Sequence, residues 1–346
     1  MRIHHEFFSI KGTIFLLLFI IQTGVVYIAF QTPLIIYSQH SAWYVFFLAS
    51  IFHYGLLLFF ERYYQFFFLN GFFRWIYLIY WLLITAVLIA YMGYVLASWV
   101  LPRTPEWIVV MMIVGLSLYA NLVRPETIIN IGVMLIPIIF LFVIFLMLAI
   151  PDLTWSNLFP VEWNNTRQIM AGMIHSMYAF FGIEMYLLYR PFLKQDLQVK
   201  GKPLLIYQLV IFIFYFISVV FTQMFFALEE VQLIPEPIMY ILKSQEVNFV
   251  KRLDIFFIYI WLSWSIVTVM IYGLSFRVLY LSKKRKHPKR SIVFFHLLLA
   301  ILPLFVMQFQ RIEFIKNSIH YVLIVFTILL PMMIICWNKW RGKRVS

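Results

Sequence analysis

Charged residues are scarce in this sequence. Only 12% of its 346 residues are Asp, Glu, Lys or Arg, whereas 64% are hydrophobic. A soluble domain carries about 25% charged and roughly 45–50% apolar residues. A soluble protein of this length would have to leave much of that apolar surface in water. The composition therefore excludes a soluble globular domain and predicts an all-α protein that crosses a membrane several times.

Cysteine is nearly absent, since Cys336 is the only one. This excludes an intrachain disulfide framework and a cysteine-based zinc site. Glycine and proline, at 12 and 14 residues, are too few for a collagen-like or a disordered chain. The sequence also lacks G-x-S-x-G, H-E-x-x-H and P-loop motifs. We therefore predict no enzymatic activity, no metal site and no cofactor.

Ten segments are long and apolar enough to be membrane spans, each of which takes about 20 mostly apolar residues. Their long apolar blocks lack the alternation of a membrane β-barrel, so helices are expected. Together they predict one transmembrane domain over residues 1–346, in which the segment 106–121 is the least secure span. The predicted spans are 12–36, 41–60, 74–100, 106–121, 126–150, 168–189, 204–227, 254–281, 291–309 and 318–338.

The net charge of +13 follows from the distribution of basic residues between the two sides of the membrane. Ten spans place 20 of the 27 Lys and Arg residues on the side of the N-terminus and seven on the other side. Basic residues accumulate in cytoplasmic loops, so both termini are predicted to be cytoplasmic. This distribution explains the charge without nucleic acid, and no nucleic-acid partner is expected.

Two spans are irregular near their middles. Span 1 contains Gln22, Thr23 and Gly24, and span 6 contains Phe180, Gly182 and Glu184. Transporters built from inverted repeats form their substrate site from two such discontinuous helices at matching positions. Spans 1 and 6 are the matching members of two five-helix repeats, about 12–150 and 168–338. We expect both helices to be unwound near Gly24 and Gly182.

Several polar residues within spans have two interpretations. Glu184 is the only carboxylate well inside a span, which suggests a functional site, but it could also snorkel toward the interface or pair locally. Ser263 belongs to a polar stripe in span 8 that indicates either a cavity wall or interhelical hydrogen bonds. Interhelical hydrogen bonds are favoured over metal or proton chemistry for the histidines within spans, His53, His175 and His296.

Two connecting segments carry weaker signals. The loop 228–253 has apolar residues at helical spacing over 238–242, which predicts either a short helix lying on the membrane or a plain loop. The basic run 283–286 serves either to retain its loop in the cytoplasm or to attract anionic membrane lipid.

The order and spacing of several stretches resemble one known family. The stretches are 20–23, 101–105, 124–128 with Pro137, 151–160, 181–184 and 253–257 with Trp261. Over about residues 12–338 the chain resembles the GerB-type spore germination subunits of bacterial nutrient-germinant receptors, a branch of the amino acid–polyamine–organocation superfamily. It departs from the family at Val26 and Ile28, where a Gly-x-Gly is usual.

The resemblance implies a LeuT-like fold of two five-helix inverted repeats. It implies a protein of the spore inner membrane that senses a small nutrient, usually an amino acid. The implied partners are an A-type subunit with soluble domains and a C-type lipoprotein.

Three functions follow as hypotheses. The first is a germinant-receptor subunit, the second a proton-coupled amino-acid permease, and the third a membrane scaffold whose ligand pocket has decayed. For the first two, the ligand is expected at the midplane between spans 1, 3, 6 and 8. The predicted ligand-binding residues are Thr23, Gly24, Phe180, Gly182, Glu184 and Ser263.

Overall fold

The regular structure of the chain is helical throughout the part that can be described. A computed structural model describes residues 11–123, 125–161, 163, 165–193, 199–245, 252–281, 288–307 and 309–342, and the basic run 283–286 lies outside them. Within these ranges the α-helices are α1 (Lys11–Thr23), α2 (Gln31–Ser38), α3 (Ala42–Tyr63), α4 (Gly71–Trp99), α5 (Glu106–Leu122), α6 (Pro125–Met147), α7 (Thr166–Ser176), α8 (Glu184–Tyr189), α9 (Lys202–Phe225), α10 (Leu228–Val231), α11 (Pro237–Ser244), α12 (Leu253–Leu281), α13 (Pro288–Val306), α14 (Phe309–Ile324) and α15 (Leu330–Trp340).

Seven helical stretches of the described residues are long and apolar enough to cross a membrane. The apolar helices α1 and α5 fall short of that length, as the segment 106–121 already suggested. Large apolar side chains such as Phe72, Met134 and Tyr119 are more than two-thirds exposed. Extensive exposure of apolar side chains is expected of a surface that contacts lipid. The protein is therefore a polytopic helical membrane protein. The seven stretches are Val26–Phe66, Gly71–Trp99, Pro125–Met147, Lys202–Phe225, Leu253–Tyr280, Lys289–Val306 and Ser318–Trp340.

The helices predicted at 12–36 and 168–189 are both interrupted. Between α1 and α2 the chain leaves the α-helix and makes one 3-10 turn at Val26–Ile28. Between α7 and α8 it makes a 3-10 turn at Met177–Phe180 and then passes through Gly182. The predicted interruptions near Gly24 and Gly182 are confirmed.

The long helix α12 lies along one side of the two interruptions. It packs on α1, α4, α5, α6 and α13. On the other side, α2 packs on α7, and α3 packs on α7 and α9. The two interruptions are therefore enclosed by α12 on one side and by α3 and α9 on the other.

The segment 238–242 forms a helix, α11, but not one that lies on the membrane surface. Its apolar residues Ile238, Ile241 and Leu242 are completely buried and α11 packs on α9, α12 and the turn at Val26–Ile28. Apolar residues at helical spacing identify a helix face but not the surface that covers it. Here the covering surface is protein, and α11 caps the interruption in the first helix.

Candidate functional site

At the first interruption, side chains from other helices donate hydrogen bonds to backbone carbonyl groups. Thr268 Oγ1 of α12 donates to the carbonyl oxygen of Ile20 at 2.9 Å. Tyr215 of α9 donates to the carbonyl oxygen of Gln22 at 2.5 Å. An irregular backbone inside a membrane persists only where its polar groups find such partners. These contacts from α9 and α12 therefore stabilise the interrupted backbone as part of the fold.

Glycine is required at both interruptions. Gly182 has φ +89°, a left-handed conformation that residues with a Cβ rarely adopt. A Cβ there would also overlap the side chain of Ile21, and a Cβ at Gly24 would overlap Thr268 Oγ1. The two breaks consequently approach each other and α12 more closely than any other residue type would allow.

Gln22 connects the two interrupted helices. Its Nε2 donates to the carbonyl oxygen of Phe180 at 3.0 Å and lies 3.1 Å from Nε2 of His53. Its Oε1 accepts a hydrogen bond from the hydroxyl of Tyr207. The side chains of Gln22, His53, Phe180 and Tyr207 are all buried. One glutamine thus joins α1, α3, α9 and the turn before Gly182.

The partners of His53 determine where its ring hydrogen lies. Gln208 Nε2 donates to Ser50, at 2.7 Å to Oγ and 2.9 Å to the carbonyl oxygen. Gln208 Oε1, 2.7 Å from His53 Nδ1, must therefore accept. His53 then carries its hydrogen on Nδ1, and Nε2 accepts from Gln22. The N–H groups of Gln22, His53 and Gln208 all have acceptors in these contacts, which makes the contacts a rigid wall of the candidate site.

Glu184 lies on the opposite side of the break, as the first residue of α8. It is only 1% exposed. Trp81 Nε1 approaches its Oε1 at 3.5 Å, and Oε2 has no partner among the described residues. It neither snorkels nor pairs with Arg190, because Arg190 bonds Glu61 at 2.8 Å. A buried carboxylate oxygen without a partner can accept a proton or a cationic ligand group.

Aromatic side chains surround Glu184. Tyr77, Tyr80 and Tyr272 lie within electrostatic range of its carboxylate. The hydroxyls of Tyr80 and Tyr272 have no partner among the described residues. The ring of Tyr80 stacks on Phe326 at 4.2 Å, inside a π-helical turn at Val325–Leu329. Such turns occur frequently at functional sites.

The structure brings five of the six predicted site residues to the two interruptions. Thr23 ends α1, Phe180 and Gly182 bracket the second break, and Glu184 follows it, with Gly24 across from Thr268. Ser263 does not belong to this group. It is exposed on α12, and its hydroxyl donates to the carbonyl oxygen of Tyr259 at 2.7 Å in the same helix. Thr268, from the same polar stripe, occupies the position next to Gly24.

Sequence reasoning missed the glutamine and tyrosine side of the site. Tyr207, Gln208 and Tyr215 lie on one stretch of α9, and only Gln208, an amide inside an apolar span, carried a signal that could have been followed. The favoured interpretation of the histidines is confirmed for two. His53 bonds Gln22 and Gln208, and His296 lies 3.0 Å from Ser117 Oγ.

His175 behaves differently from the other two. It stacks on Tyr37 of α2 at 3.9 Å and lies 4.2 Å from the ring of His320 in α14. Within the part of the chain that the structure describes, no three His, Cys, Asp or Glu side chains are grouped so that they could hold a metal ion.

These features can be set beside known proteins. A family model described as spore germination protein matches residues 10–315. The chain belongs to this family. The matched region contains both interruptions, Gln22 and the whole of α12. The match to the spore germination family therefore includes both interruptions of the candidate site.

A curated relative supports the same assignment. The spore germination protein GerQB of Bacillus cereus is 27% identical over 211 residues, which cover 60% of this chain and 58% of the relative. The aligned part therefore spans less than two-thirds of that germination protein.

Proposed function

We propose that this chain is the membrane-embedded subunit of a nutrient germinant receptor. It binds a small nutrient of the amino-acid class and signals its presence. The observation that carries the proposal is the contact between two interrupted helices, in a chain of the spore germination family. Gly182 lies against Ile21, and Gln22 bonds to Phe180. Discontinuous helices of this kind supply backbone polar groups to a ligand within the membrane.

The ligand is proposed to contact Thr23, Gly24, Phe180, Gly182 and Glu184. Oε2 of Glu184, which has no partner within the described part of the chain, is a suitable acceptor for an ammonium group, and the nearby tyrosine hydroxyls are donors for a carboxylate. Ser263 is left out because it is exposed on α12.

The proposed architecture is a single transmembrane domain of ten spans, over residues 1–346, with a five-plus-five inverted repeat about 12–150 and 168–338. Its support is the interruption of the first and sixth predicted spans together with the charge distribution. Both termini are proposed to be cytoplasmic, in the inner membrane of a bacterial spore.

The topology is tested by cysteine labelling. Ser156→Cys and Arg341→Cys, each in a chain whose exposed Cys336 is replaced by serine, should react with an impermeant reagent from opposite sides of sealed vesicles. Labelling from the same side would overturn the ten-span arrangement.

Signalling requires partners that read the conformation of this subunit. We propose an A-type and a C-type receptor subunit in this role. The nutrient can shift the equilibrium between two arrangements of the repeats only as far as its affinities for them differ. Copurification of all three subunits from membranes tests the assembly.

The function is tested in spores that lack this gene, with a panel of amino acids, sugars and nucleosides as germinants. Loss of the response to one nutrient class is expected. Spores carrying Gly182→Leu at normal receptor level should need a higher concentration of that nutrient, whereas Gly201→Leu, at a loop glycine with open space around it, should not. An unchanged response of the Gly182→Leu spores would favour a scaffold with a decayed pocket.

A second candidate is a proton-coupled permease. The observation that favours it is the buried carboxylate of Glu184, whose Oε2 has no hydrogen-bond partner among the residues that the structure describes. Uptake of radiolabelled nutrient into vesicles should then respond to a proton gradient, and Glu184→Gln should abolish that dependence. Binding without uptake would favour the receptor.

A further inference from the structure

A groove of about 390 Å³ opens on the flank of the molecule between α1, α6 and α9. Its walls include Phe15, Leu16 and Phe19 of α1, Ile136 and Phe140 of α6, and Ile206 of α9. It begins at Gly12 and Pro203, next to the first residues of α1 and α9, and follows both helices for about two turns, or roughly 10 Å. This is about two-thirds of the thickness of one leaflet, whose share of the hydrocarbon core is about 15 Å.

Two lysines lie next to one end of the groove in the sequence. Lys200 and Lys202 flank Gly201 just before Pro203, which lines the groove, and both lysines are exposed. Basic side chains at the membrane surface attract anionic lipid headgroups by roughly 1 kcal/mol each. An apolar groove with two lysines next to one end matches an anionic amphiphile in both charge and polarity.

The length of the groove favours an acyl chain over a protein helix. Its apolar walls run for roughly 10 Å, which is only two turns of a helix. A methylene group takes about the volume of a water molecule, roughly 30 Å³, so a groove of about 390 Å³ accommodates about a dozen methylene groups. That is most of one acyl chain.

We propose that this groove is a binding site for an anionic phospholipid. One acyl chain lies between α1, α6 and α9, and the phosphate headgroup rests on Lys200 and Lys202. The site is separate from the proposed nutrient site and does not depend on it.

One wall of the groove reaches the interrupted helices. The ring of Tyr207 lines the groove and stacks on Phe15 with centroids 5.2 Å apart. Its hydroxyl donates to Gln22, which also holds the carbonyl of Phe180. A bound acyl chain packs α1 against α9 at this point and so stabilises the arrangement around the break.

The test measures lipid retained by the purified full-length chain. The protein is exchanged from detergent into micelles doped with phosphatidylglycerol or phosphatidylcholine, and bound lipid is counted by native mass spectrometry. Gly12→Leu places a side chain in the groove without a clash, because a Cβ at Gly12 meets open space. Gly55→Leu is the matched control, since Gly55 is exposed on α3 and its Cβ also meets open space.

The wild-type chain should retain one phosphatidylglycerol in preference to phosphatidylcholine. Changing Lys200 and Lys202 together to glutamine should weaken retention of phosphatidylglycerol by roughly tenfold or more and leave phosphatidylcholine unchanged. Gly12→Leu should weaken retention of both lipids, and Gly55→Leu of neither. Equal retention by Gly12→Leu and wild type would overturn the site. A second outcome would also overturn it. If the Gly12→Leu chain keeps its lipid but no longer copurifies with a partner subunit from membranes, the groove binds a helix of that subunit instead.

Discussion

Gln22 Nε2 donates a 3.0 Å hydrogen bond to the carbonyl oxygen of Phe180, and this bond ties the end of the first interrupted helix to the turn that precedes the second interruption. The two residues are 158 positions apart in the chain. The same amide nitrogen lies next to His53, and the amide oxygen accepts from Tyr207. The geometry of one break therefore depends on the other.

Gln22→Leu tests this connection. The change leaves the hydroxyl of Tyr207 and the carbonyl of Phe180 without their partner, and each buried polar group left unsatisfied costs about 1–3 kcal/mol. We expect the free energy of unfolding in detergent to fall by about 2–4 kcal/mol. Gln232→Leu, at an exposed glutamine, is the control and should change stability by less than about 0.5 kcal/mol. Equal effects of the two changes would show that the hydrogen bonds of Gln22 do not stabilise the fold.

Gly182→Ala tests the requirement for glycine at the second break. Both Gly182 and Gly201 have positive φ, but only at Gly182 would a Cβ overlap a neighbour, Ile21. Gly201→Ala should cost only the backbone strain of its φ +80°, ψ −126° conformation, about 1–3 kcal/mol. Gly182→Ala should cost more than Gly201→Ala, because overpacking of about 1–3 kcal/mol is added. Thermal unfolding of the two variants measures the difference. A smaller loss at Gly182 than at Gly201 would contradict the close approach of the two breaks.

The ion pair between Glu61 and Arg190 is expected to act as a unit. Both side chains are buried. Arg190 donates to both carboxylate oxygens of Glu61, at 2.8 and 3.1 Å, and Tyr186 donates a third hydrogen bond to Glu61 at 2.6 Å. Removing one member leaves an unpaired buried charge, so Glu61→Gln or Arg190→Gln alone should destabilise by about 3–5 kcal/mol. The double variant should recover part of this loss. Exposed Arg62→Gln serves as the control, and strictly additive single effects would exclude a coupled pair.

The two hydroxyls of the polar stripe on α12 should differ in importance. Thr268 Oγ1 bonds across to the carbonyl of Ile20, whereas Ser263 bonds within its own helix. Thr268→Val keeps the shape and removes the interhelical bond, so a loss of about 1–2 kcal/mol is expected. Ser263→Ala should stay within about 0.5 kcal/mol of wild type. Chemical unfolding curves of the two variants measure the loss in free energy of unfolding. A larger loss for Ser263→Ala than for Thr268→Val would contradict the contact between the Thr268 face of α12 and α1.

The positions of the helices and of their interruptions could be predicted because their causes are local. Runs of apolar residues set the helices, and a glycine beside polar residues weakens a helix at Gly24 and Gly182. The amphipathic spacing at 238–242 indicated a helix as one of two alternatives, the other being a plain loop, and the segment forms α11. The surface that covers α11 could not be predicted, since it is formed by α9 and α12, which lie elsewhere in the sequence.

By itself, the sequence determined a polytopic helical membrane protein, because its apolar content leaves no other place for these side chains than lipid and one another. It also determined where two helices break. Only the tertiary structure decided which polar groups meet at the breaks. Ser263 and Thr268 differ by five residues, which turns them about 140° apart around α12, and helix packing alone selects which of them faces Gly24. Gln22 finds Phe180, His53 and Tyr207 for the same reason, since each partner comes from a different part of the chain.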